Sequence, residues 1–201
     1  MANVMNITVQ SNIKSLTKNL RRIHKKQIPF ATSVAINRTA FNLRKEYMKQ
    51  AEKKLDRPTP FTVKSFLVIK ATKRKLTGIV YIKQIVQKYL KYAIQPQIKS
   101  TGKRIPIPYK PNARLNKFGN IIGKKSGLIK KQSQFIATIK GVNGVWERQR
   151  DRSVKLLISF ERSVNYKRVI FPFFKIGRSY VKNVFPKKFK NELFKAIKSA
   201  R

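Results

Sequence analysis

Clusters of lysine and arginine are the residues of this sequence whose type and spacing could do chemistry. Neighbouring cationic side chains can contact the phosphates of a polyanion as point charges, without reading its sequence. No RNA-recognition, helix-turn-helix or zinc-finger pattern fits the chain, so sequence-specific reading of bases is not indicated. A single basic run is more often a solvated face, and only the whole set favours contact. The residues predicted to contact a polyanion are Arg21, Arg22, Lys25, Lys26, Lys73, Arg74, Lys75, Lys124, Lys125, Lys130 and Lys131.

Residues that could catalyse a reaction or bind a metal are scarce. His24 is the only histidine and there is no cysteine, so neither a catalytic triad nor a thiolate metal site can be assembled. Glu147 and Asp151 are four residues apart, but arginines lie beside them and an ion-pair cluster that steadies a loop is favoured over a catalytic dyad. No glycine-rich phosphate loop is present. We expect no catalytic, metal or cofactor site, and a protein that is not an enzyme.

The charge of the chain is its most unusual property. Lys and Arg number 48 against 7 Asp and Glu, which gives a net charge of +41, and the basic residues are spread evenly along the chain. Self-repulsion of this size favours a polyanionic neighbour, of which nucleic acid is the first candidate. An anionic membrane or an acidic protein partner is a weaker alternative, and the membrane lacks the support of a concentrated basic amphipathic helix. An AT-rich genome would also raise the lysine count, but it does not explain the scarcity of acids.

Targeting and membrane signals are absent from the sequence. The longest apolar runs, such as 66–69, are far too short to span a bilayer. The first ten residues lack the charged and apolar regions of a signal peptide. We expect the protein to be made and used on the cytoplasmic side.

Hydrophobic periodicity predicts an α+β fold in a single domain, 1–201. The expected order is N-terminal helices, a hairpin, a long irregular loop at about 95–128, a meander and a C-terminal helix, with an antiparallel sheet built from the hairpin and the meander. Pro186 should kink or restart the last helix. The predicted helices are 13–23, 29–55, 85–93 and 171–200, and the predicted strands are 6–10, 67–72, 77–83, 134–140, 144–148 and 154–160.

The predicted helix 29–55 has a series of large apolar side chains with mostly seven-residue steps. Asn37 and Arg44 interrupt the intervening positions, so packing against the chain's own sheet is favoured over a coiled coil. The series is expected to form the packed face, and its members are Phe30, Val34, Phe41, Met48 and Leu55.

The stretch 56–61 predicts a fixed joint between this helix and the hairpin. Pro58 should stop the helix, because the residue before a proline is disfavoured in the right-handed helical region. Thr59 can cap a new short helix in which Pro60 needs no N–H partner. The joint consists of Asp56, Arg57, Pro58, Thr59, Pro60 and Phe61.

Segments in a fixed order along nearly the whole chain resemble the minor tail and tail-completion proteins of tailed bacteriophages, which are grouped with minor tail protein Z and the head–tail joining proteins. The most specific segment is DRPTPFTVKSFLVIKATKRKLTGIVYIK (56–83), with its Asp-Arg-Pro-Thr-Pro and Lys-Ala-Thr-Lys motifs. The others are PFATSVAINRTAFNLR (29–44), KYLKYAI (88–94), LNKFGNIIGKKSGLI (115–129), GVWERQR (144–150), LISFERSVNYKRVIFPF (157–173) and VFPKKFKNELFKAI (184–197).

The resemblance implies a structural virion protein that completes the phage tail or the head–tail junction (the neck). Such a protein forms a homo-oligomeric ring that contacts portal, terminator or tail-tube proteins, and double-stranded DNA in the channel is a further, non-specific partner. It also implies synthesis in the host bacterial cytoplasm, no cofactor and no membrane partner, with the loop 95–128 reaching a neighbouring subunit. The alternative is a nucleic-acid-binding scaffold protein of the ribosomal-protein type, which the charge, the scarcity of acids and the irregular basic loop support, whereas the ordered motifs favour the virion protein.

Overall fold

The computed structural model describes residues 6–10, 27–122, 129 and 131–198. These residues form two compact units. The first contains the described residues of Met1–Leu55, Thr59–Ile94 and Ile170–Arg201, and the second contains those of Asp56–Pro58 and Gln95–Val169. That the two units act as one domain stays a prediction.

The first unit combines helices with a small antiparallel sheet. Its strands have the order β1-β3-β2, with β3 in the centre. The hairpin β2–β3 and the strand at 6–10 are confirmed, whereas the predicted helix 13–23 lies outside the described residues. The elements are β1 (Asn6–Gln10), α1 (Gln27–Lys54), α2 (Pro60–Val63), β2 (Phe66–Ile69), β3 (Thr77–Ile82), α3 (Gln84–Ile94) and α4 (Phe173–Lys198).

The buried face of α1 differs from the predicted one. Phe30 and Phe41 are 43% and 37% exposed, so these two rings lie outside the packed face, whereas Met48 and Leu55 of the same series are partly buried against the core. The buried side chains include Ile36, Leu43 and Tyr47, together with several alanines. Alanine side chains are small, so they let α4 and the sheet approach α1 closely. The helix packs on α4 and on strands β2 and β3, as expected for a helix packed on its own sheet.

Four aromatic rings form the centre of the core of the first unit. Tyr47 of α1 stacks on Phe66 of β2 and on Phe173 of α4, with ring centroids 5.3 Å and 4.4 Å apart. Phe171 lies 5.8 Å from Phe66 and closes the group. The Tyr47 hydroxyl donates a hydrogen bond of 3.0 Å to the carbonyl of Phe173. Burial of each such ring contributes about 1.5–3 kcal/mol, so this group joins α1, β2 and α4 firmly.

The helix α4 continues through Pro186, so it does not restart there, whereas a kink at this residue stays a prediction. A proline inside a helix removes one backbone hydrogen bond and crowds the preceding turn. Pro186 is exposed, and the buried side chains of α4 lie on either side of it, at Phe173 and Gly177 before and at Glu192 and Ala196 after.

The second unit is a four-stranded antiparallel sheet with the order β4-β7-β6-β5. Its small core contains Val145, Leu157 and Ile158. Gly144 is required here, because a Cβ atom at this position would lie 2.1 Å from the carbonyl oxygen of Ile158. The strands are β4 (Gln97–Pro108), β5 (Gln134–Ile139), β6 (Val142–Arg148) and β7 (Val154–Tyr166).

Two details of the predicted sheet and loop are corrected by this unit. The hairpin and the meander belong to different sheets. The segment 95–128, expected to be irregular, begins with the strand β4, which pairs with β7 from Gln97 to Pro108 around a register shift between Ser100 and Ile105. Prolines are tolerated in an edge strand, because the N–H group that a proline lacks would there point to solvent and not to a neighbouring strand. The α+β class itself is confirmed.

The described residues after β4 are also held by the chain's own hydrogen bonds. Asn112 donates its side-chain amide to the carbonyl of Leu156 at 2.9 Å. Leu115 and Ile121 form an isolated bridge around a turn at Asn116. The described segment up to residue 122 is thus held by contacts within the chain. Its role in assembly stays a prediction.

None of the described helices has the length and apolar character that crossing a membrane requires.

Candidate polyanion interface

Four of the residues predicted to contact a polyanion lie in the part of the chain that the structure describes. Lys73, Arg74 and Lys75 are exposed in the turn between β2 and β3, and Lys131 precedes β5. The remaining residues lie outside the described residues, and they are Arg21, Arg22, Lys25, Lys26, Lys124, Lys125 and Lys130.

The turn between β2 and β3 presents its cations at the tip. Thr72 donates its backbone N–H to the carbonyl of Lys75 at 2.9 Å, and the Lys75 N–H donates to the Thr72 hydroxyl at 3.0 Å. These two bonds close the turn around Lys73 and Arg74. The side chains at the tip therefore extend from a fixed backbone.

Asn37 of α1 anchors the start of this turn. Its side-chain amide donates to the carbonyl of Ala71 at 3.0 Å and accepts from the Ala71 N–H at 2.7 Å. Arg44, seven residues later, donates to the carbonyl of Phe66 at 2.9 Å. The two residues that interrupt the apolar series of α1 thus tie the helix to the strand and the turn. In the sequence, these contacts were indicated only by two polar residues that interrupt an apolar series.

Apolar packing around Ala71 also fixes the position of this turn. Ala71 and Ile36 are buried together, with Leu76, Val181 and Phe185 packed around them. Beside this cluster β3 approaches α1 so closely that a Cβ atom on Gly78 would lie 2.6 Å from the Ile36 side chain.

Two lysines of the turn region lie over exposed phenyl rings of α1. The Lys73 Nζ atom is 4.9 Å from the centre of the Phe30 ring, and the Lys70 Nζ atom is 5.7 Å from that of Phe41. A cation over an aromatic face is attracted by about 0.5–1 kcal/mol at an exposed site. The sequence prediction missed Lys70, Phe30 and Phe41, because the rings were assigned to the packed face.

We call the surface formed by Lys70, Lys73, Arg74 and Lys75 with the rings of Phe30 and Phe41 the basic turn. Its four cations lie within six consecutive residues that contain no acid. A rigid group of point charges suits the contact of phosphates, whose spacing along a nucleic acid is regular. The basic turn is therefore the best-defined candidate for polyanion contact in the described part of the chain.

Lys131 has a partner within the protein. Glu147 is 12% exposed at its side chain, and its carboxylate lies 3.6 Å from the Lys131 Nζ atom and 3.0 Å from that of Lys155. Gln134 donates a further hydrogen bond to it at 3.3 Å. The hydrogen bond from Lys155 is the main reason that the pKa of Glu147 lies below its ordinary value. A polyanion would have to compete with this carboxylate for Lys131.

The two acids considered as a catalytic dyad have separate partners. Asp151 accepts from the hydroxyl and the backbone N–H of Ser153 at 2.6 Å and 3.0 Å, and these bonds lower its pKa. Glu147 instead pairs with the two lysines. The absence of enzymatic activity stays a prediction.

The predicted joint has the expected local structure. The helix α1 ends at Lys54, and Arg57 has a φ of 45°, in the left-handed region. Thr59 caps α2, because its hydroxyl accepts from the Thr62 N–H at 3.2 Å, and Pro60 is the first residue of that helix. The helix α1 has therefore ended before Pro58, and the left-handed turn at Arg57 separates the two.

The remaining residues of the joint lie at the surface. Asp56 pairs with Arg57 at 3.2 Å. Phe61 is 52% exposed, and the Lys83 Nζ atom lies 5.9 Å from the centre of its ring. The short helix is anchored instead by Thr62, whose hydroxyl is 2.8 Å from that of Tyr89 in α3.

A cavity of about 380 Å³ lies in the second unit beside the ion pairs of Glu147. Its lining includes apolar side chains such as Leu157 and Ile158 and polar side chains such as Arg114 and Asn112. The described lining contains no second acid, and no cluster of three His, Asp or Glu side chains that could hold a metal ion occurs among the described residues.

Comparison of the chain with models of protein families, with curated proteins and with solved structures gives no match.

Proposed function

We propose that this chain is a structural virion protein that completes the phage tail or the head–tail junction. In this proposal several copies form a ring that contacts portal, terminator or tail-tube proteins. The DNA in the channel of that ring is a further partner, contacted without sequence preference.

The order of the motifs along the chain carries this proposal. Each motif is short, and any one of them could arise by chance. Seven of them follow one another from residue 29 to residue 197 in the order that the phage proteins have. The segment 56–83 is the most specific of the set.

Contacts between the motifs support it further. Asn37 of the Asn-Arg-Thr-Ala motif holds the backbone of Ala71 in the Lys-Ala-Thr-Lys motif. Arg38, the next residue, forms an ion pair with Glu192 of the C-terminal motif. Residues far apart in the chain are therefore in contact, which is expected if these motifs encode one structural unit.

A third contact joins two motifs within the second unit. Gly119 of the Phe-Gly-Asn motif has a φ of 75° and faces the guanidinium group of Arg57 in the Asp-Arg-Pro-Thr-Pro motif. A Cβ atom on Gly119 would lie 3.0 Å from that group. Both the backbone angle and the close contact explain a glycine at this place in the motif.

Size-exclusion chromatography with light scattering tests the proposal. The full chain is treated with nuclease first, because a charge of +41 would retain nucleic acid from the expression host. We expect one discrete oligomer that persists after the treatment. A species that falls to a monomer when the nucleic acid is digested would favour the ribosomal-type scaffold protein instead.

A further inference from the structure

The two edges of the four-stranded sheet differ in how they are protected from further strand pairing. The edge strand β4 contains Pro106 and Pro108, a register shift, and Gly102 with a φ of 67°. It also carries Lys99, Lys103 and Arg104. Prolines, irregular register and charge are the means by which proteins keep an edge strand from pairing with another chain.

The opposite edge strand, β5, has none of these features. Its sequence QFIATI contains no charge, no proline and no glycine, and all six residues pair in register with β6. β-branched and aromatic residues favour an extended strand. Among the described residues, no strand pairs with the outer side of β5.

The hairpin turn determines which backbone groups point outward. Lys140 and Gly141 have φ values of 50° and 78°, as in a two-residue turn that continues the twist of its strands. The closing pair Ile139–Val142 of such a turn exchanges both hydrogen bonds, and the pairs alternate from there along the strand. The N–H and C=O groups of Ile136 and Thr138 therefore point away from β6.

We infer that the outer edge of β5 is a strand-addition site for an extended, acidic segment of another protein. The backbone groups of Ile136 and Thr138 would pair with that segment, and the side chain of Ile136, 55% exposed, would pack against its apolar residues. Lys140 and Lys131 lie beyond the two ends of the strand, so acidic residues near the ends of the segment would face cations, of which Lys140 lies in the exposed turn and Lys131 is shared with Glu147. This inference rests on the sheet geometry and does not depend on the proposed virion role.

A second copy of this chain fits the same edge poorly. Antiparallel pairing of β5 with β5 would bring Lys140 of one copy near the Lys131 end of the other, at both ends of the strand. Like charges that lie opposite each other in a sheet are destabilising. The net charge of +41 on each copy adds to the repulsion.

Hydrogen exchange of the full chain, followed by NMR, tests the site. The probe is a synthetic peptide with a centre of alternating threonine and valine and with acidic residues at both ends. Without the peptide, the amides of Ile136 and Thr138 should exchange rapidly and those of Ala137 and Ile139 slowly. With the peptide, hydrogen exchange at the amides of Ile136 and Thr138 should become at least about tenfold slower.

Two controls separate strand pairing from attraction between charges. A twin peptide, N-methylated at alternate backbone nitrogens, keeps its charge but cannot pair, and it should bind at least about tenfold more weakly. Ile136→Pro removes the outward N–H and should weaken binding of the first peptide by a similar factor. Ile136→Thr keeps the N–H and the β-branched shape but loses part of the apolar contact, so it should weaken binding less than Ile136→Pro does.

Equal binding of both peptides would overturn the inference, because charge alone would then explain the attraction. Protection of Ile136 and Thr138 in the free chain that disappears on dilution would also overturn it, in favour of pairing between copies. If Ile136→Pro fails to fold, the comparison of the two peptides on the unaltered chain decides the question.

Discussion

At the scale of single residues, Asn37 has the most specific role. Its side chain, on a helix, forms the two hydrogen bonds with the buried backbone of Ala71 that a neighbouring strand would otherwise form. Arg44 does the same for one carbonyl of β2. A polar side chain in the middle of α1 is therefore part of the structure that orients the basic turn.

Replacing Asn37 with alanine should lower the free energy of unfolding by about 1–3 kcal/mol, because the N–H and C=O of Ala71 lose their partners. Asn42→Ala, on the same helix, is the matched control and should change stability by less than about 0.5 kcal/mol. Urea denaturation of both variants measures the difference. Equal effects of the two substitutions would show that the Asn37 hydrogen bonds contribute nothing.

Tyr47 should make the stability of the first unit sensitive to alkaline pH. Burial raises the pKa of its hydroxyl above the ordinary value. The unfolded chain then loses this proton at a lower pH than the folded chain, so the contribution is complete below a pH of about 10 and is lost as the pH rises further.

Tyr47→Phe removes this titration and the hydrogen bond to Phe173. At neutral pH it should cost about 0.5–1.5 kcal/mol, and between neutral pH and a pH above about 10 it should lose less stability than the unaltered chain. The lysines titrate in both proteins and cancel in the comparison. Parallel losses of stability in the two proteins would contradict the assigned role of the hydroxyl.

At the scale of elements, the joint determines where α1 ends and where the hairpin begins. The left-handed turn at Arg57, the cap at Thr59 and the proline at the first position of α2 follow one another within four residues. Loss of either proline gives the unfolded chain more freedom and lets α1 extend beyond its normal end.

The double substitution Pro58→Ala, Pro60→Ala should lower the free energy of unfolding by about 1–2 kcal/mol and reduce assembly. Pro111→Ala, at an exposed position in the second unit, is the control for a general effect of proline removal. Thermal melting and the yield of the assembled oligomer are the measurements. A double variant with normal melting and normal yield would rule out an architectural joint.

The elements that sequence reasoning located correctly are those with strong local signals. The helix at 29–55, the cap at Thr59, the hairpin and the three strands of the meander all follow from residue periodicity and turn residues. The strand β4 was missed because two prolines and a glycine usually mark a loop, and only its place at a sheet edge makes them acceptable.

The face of α1 was missed for a different reason. Large apolar side chains are usually buried, but here several alanines of α1 are buried, while Phe30 and Phe41 lie beneath lysines. Which side chains of α1 are buried depends on how closely the neighbouring elements approach the helix, and hydrophobic periodicity gives no information about that distance. The basic turn was therefore predicted by its cations alone, without the rings and without Asn37.

At the scale of the whole molecule, the charge of +41 is the dominant property. Each cation that contacts a phosphate releases a counterion, so binding to DNA should weaken with salt and should not depend on base sequence. We expect the clusters to contribute unequally, because only those that face the DNA can contact it.

Charge reversal of the basic turn tests this expectation. The variant Lys73→Glu, Arg74→Glu, Lys75→Glu should bind unrelated duplexes more weakly than the unaltered chain. The slope of log affinity against log salt should be smaller by about 2–3, which is the loss expected for three phosphate contacts. Fluorescence anisotropy from about 50 mM to about 200 mM salt measures both quantities.

The matched control carries the same change of charge on the exposed face of α1, as Lys45→Glu, Lys49→Glu, Lys53→Glu. If the slope of log affinity against log salt becomes smaller by the same amount in both triple variants, the net charge and not the basic turn determines the binding. Strong preference for one duplex, or no binding at low salt, would contradict non-specific contact with DNA.

The central claim is that copies of this chain form a closed ring, and electron microscopy of the nuclease-treated full chain in negative stain tests it most directly. The proposed role in the tail or neck predicts rings with one rotational symmetry and an open central channel. Single copies without any ring, or open chains of variable length, would contradict it.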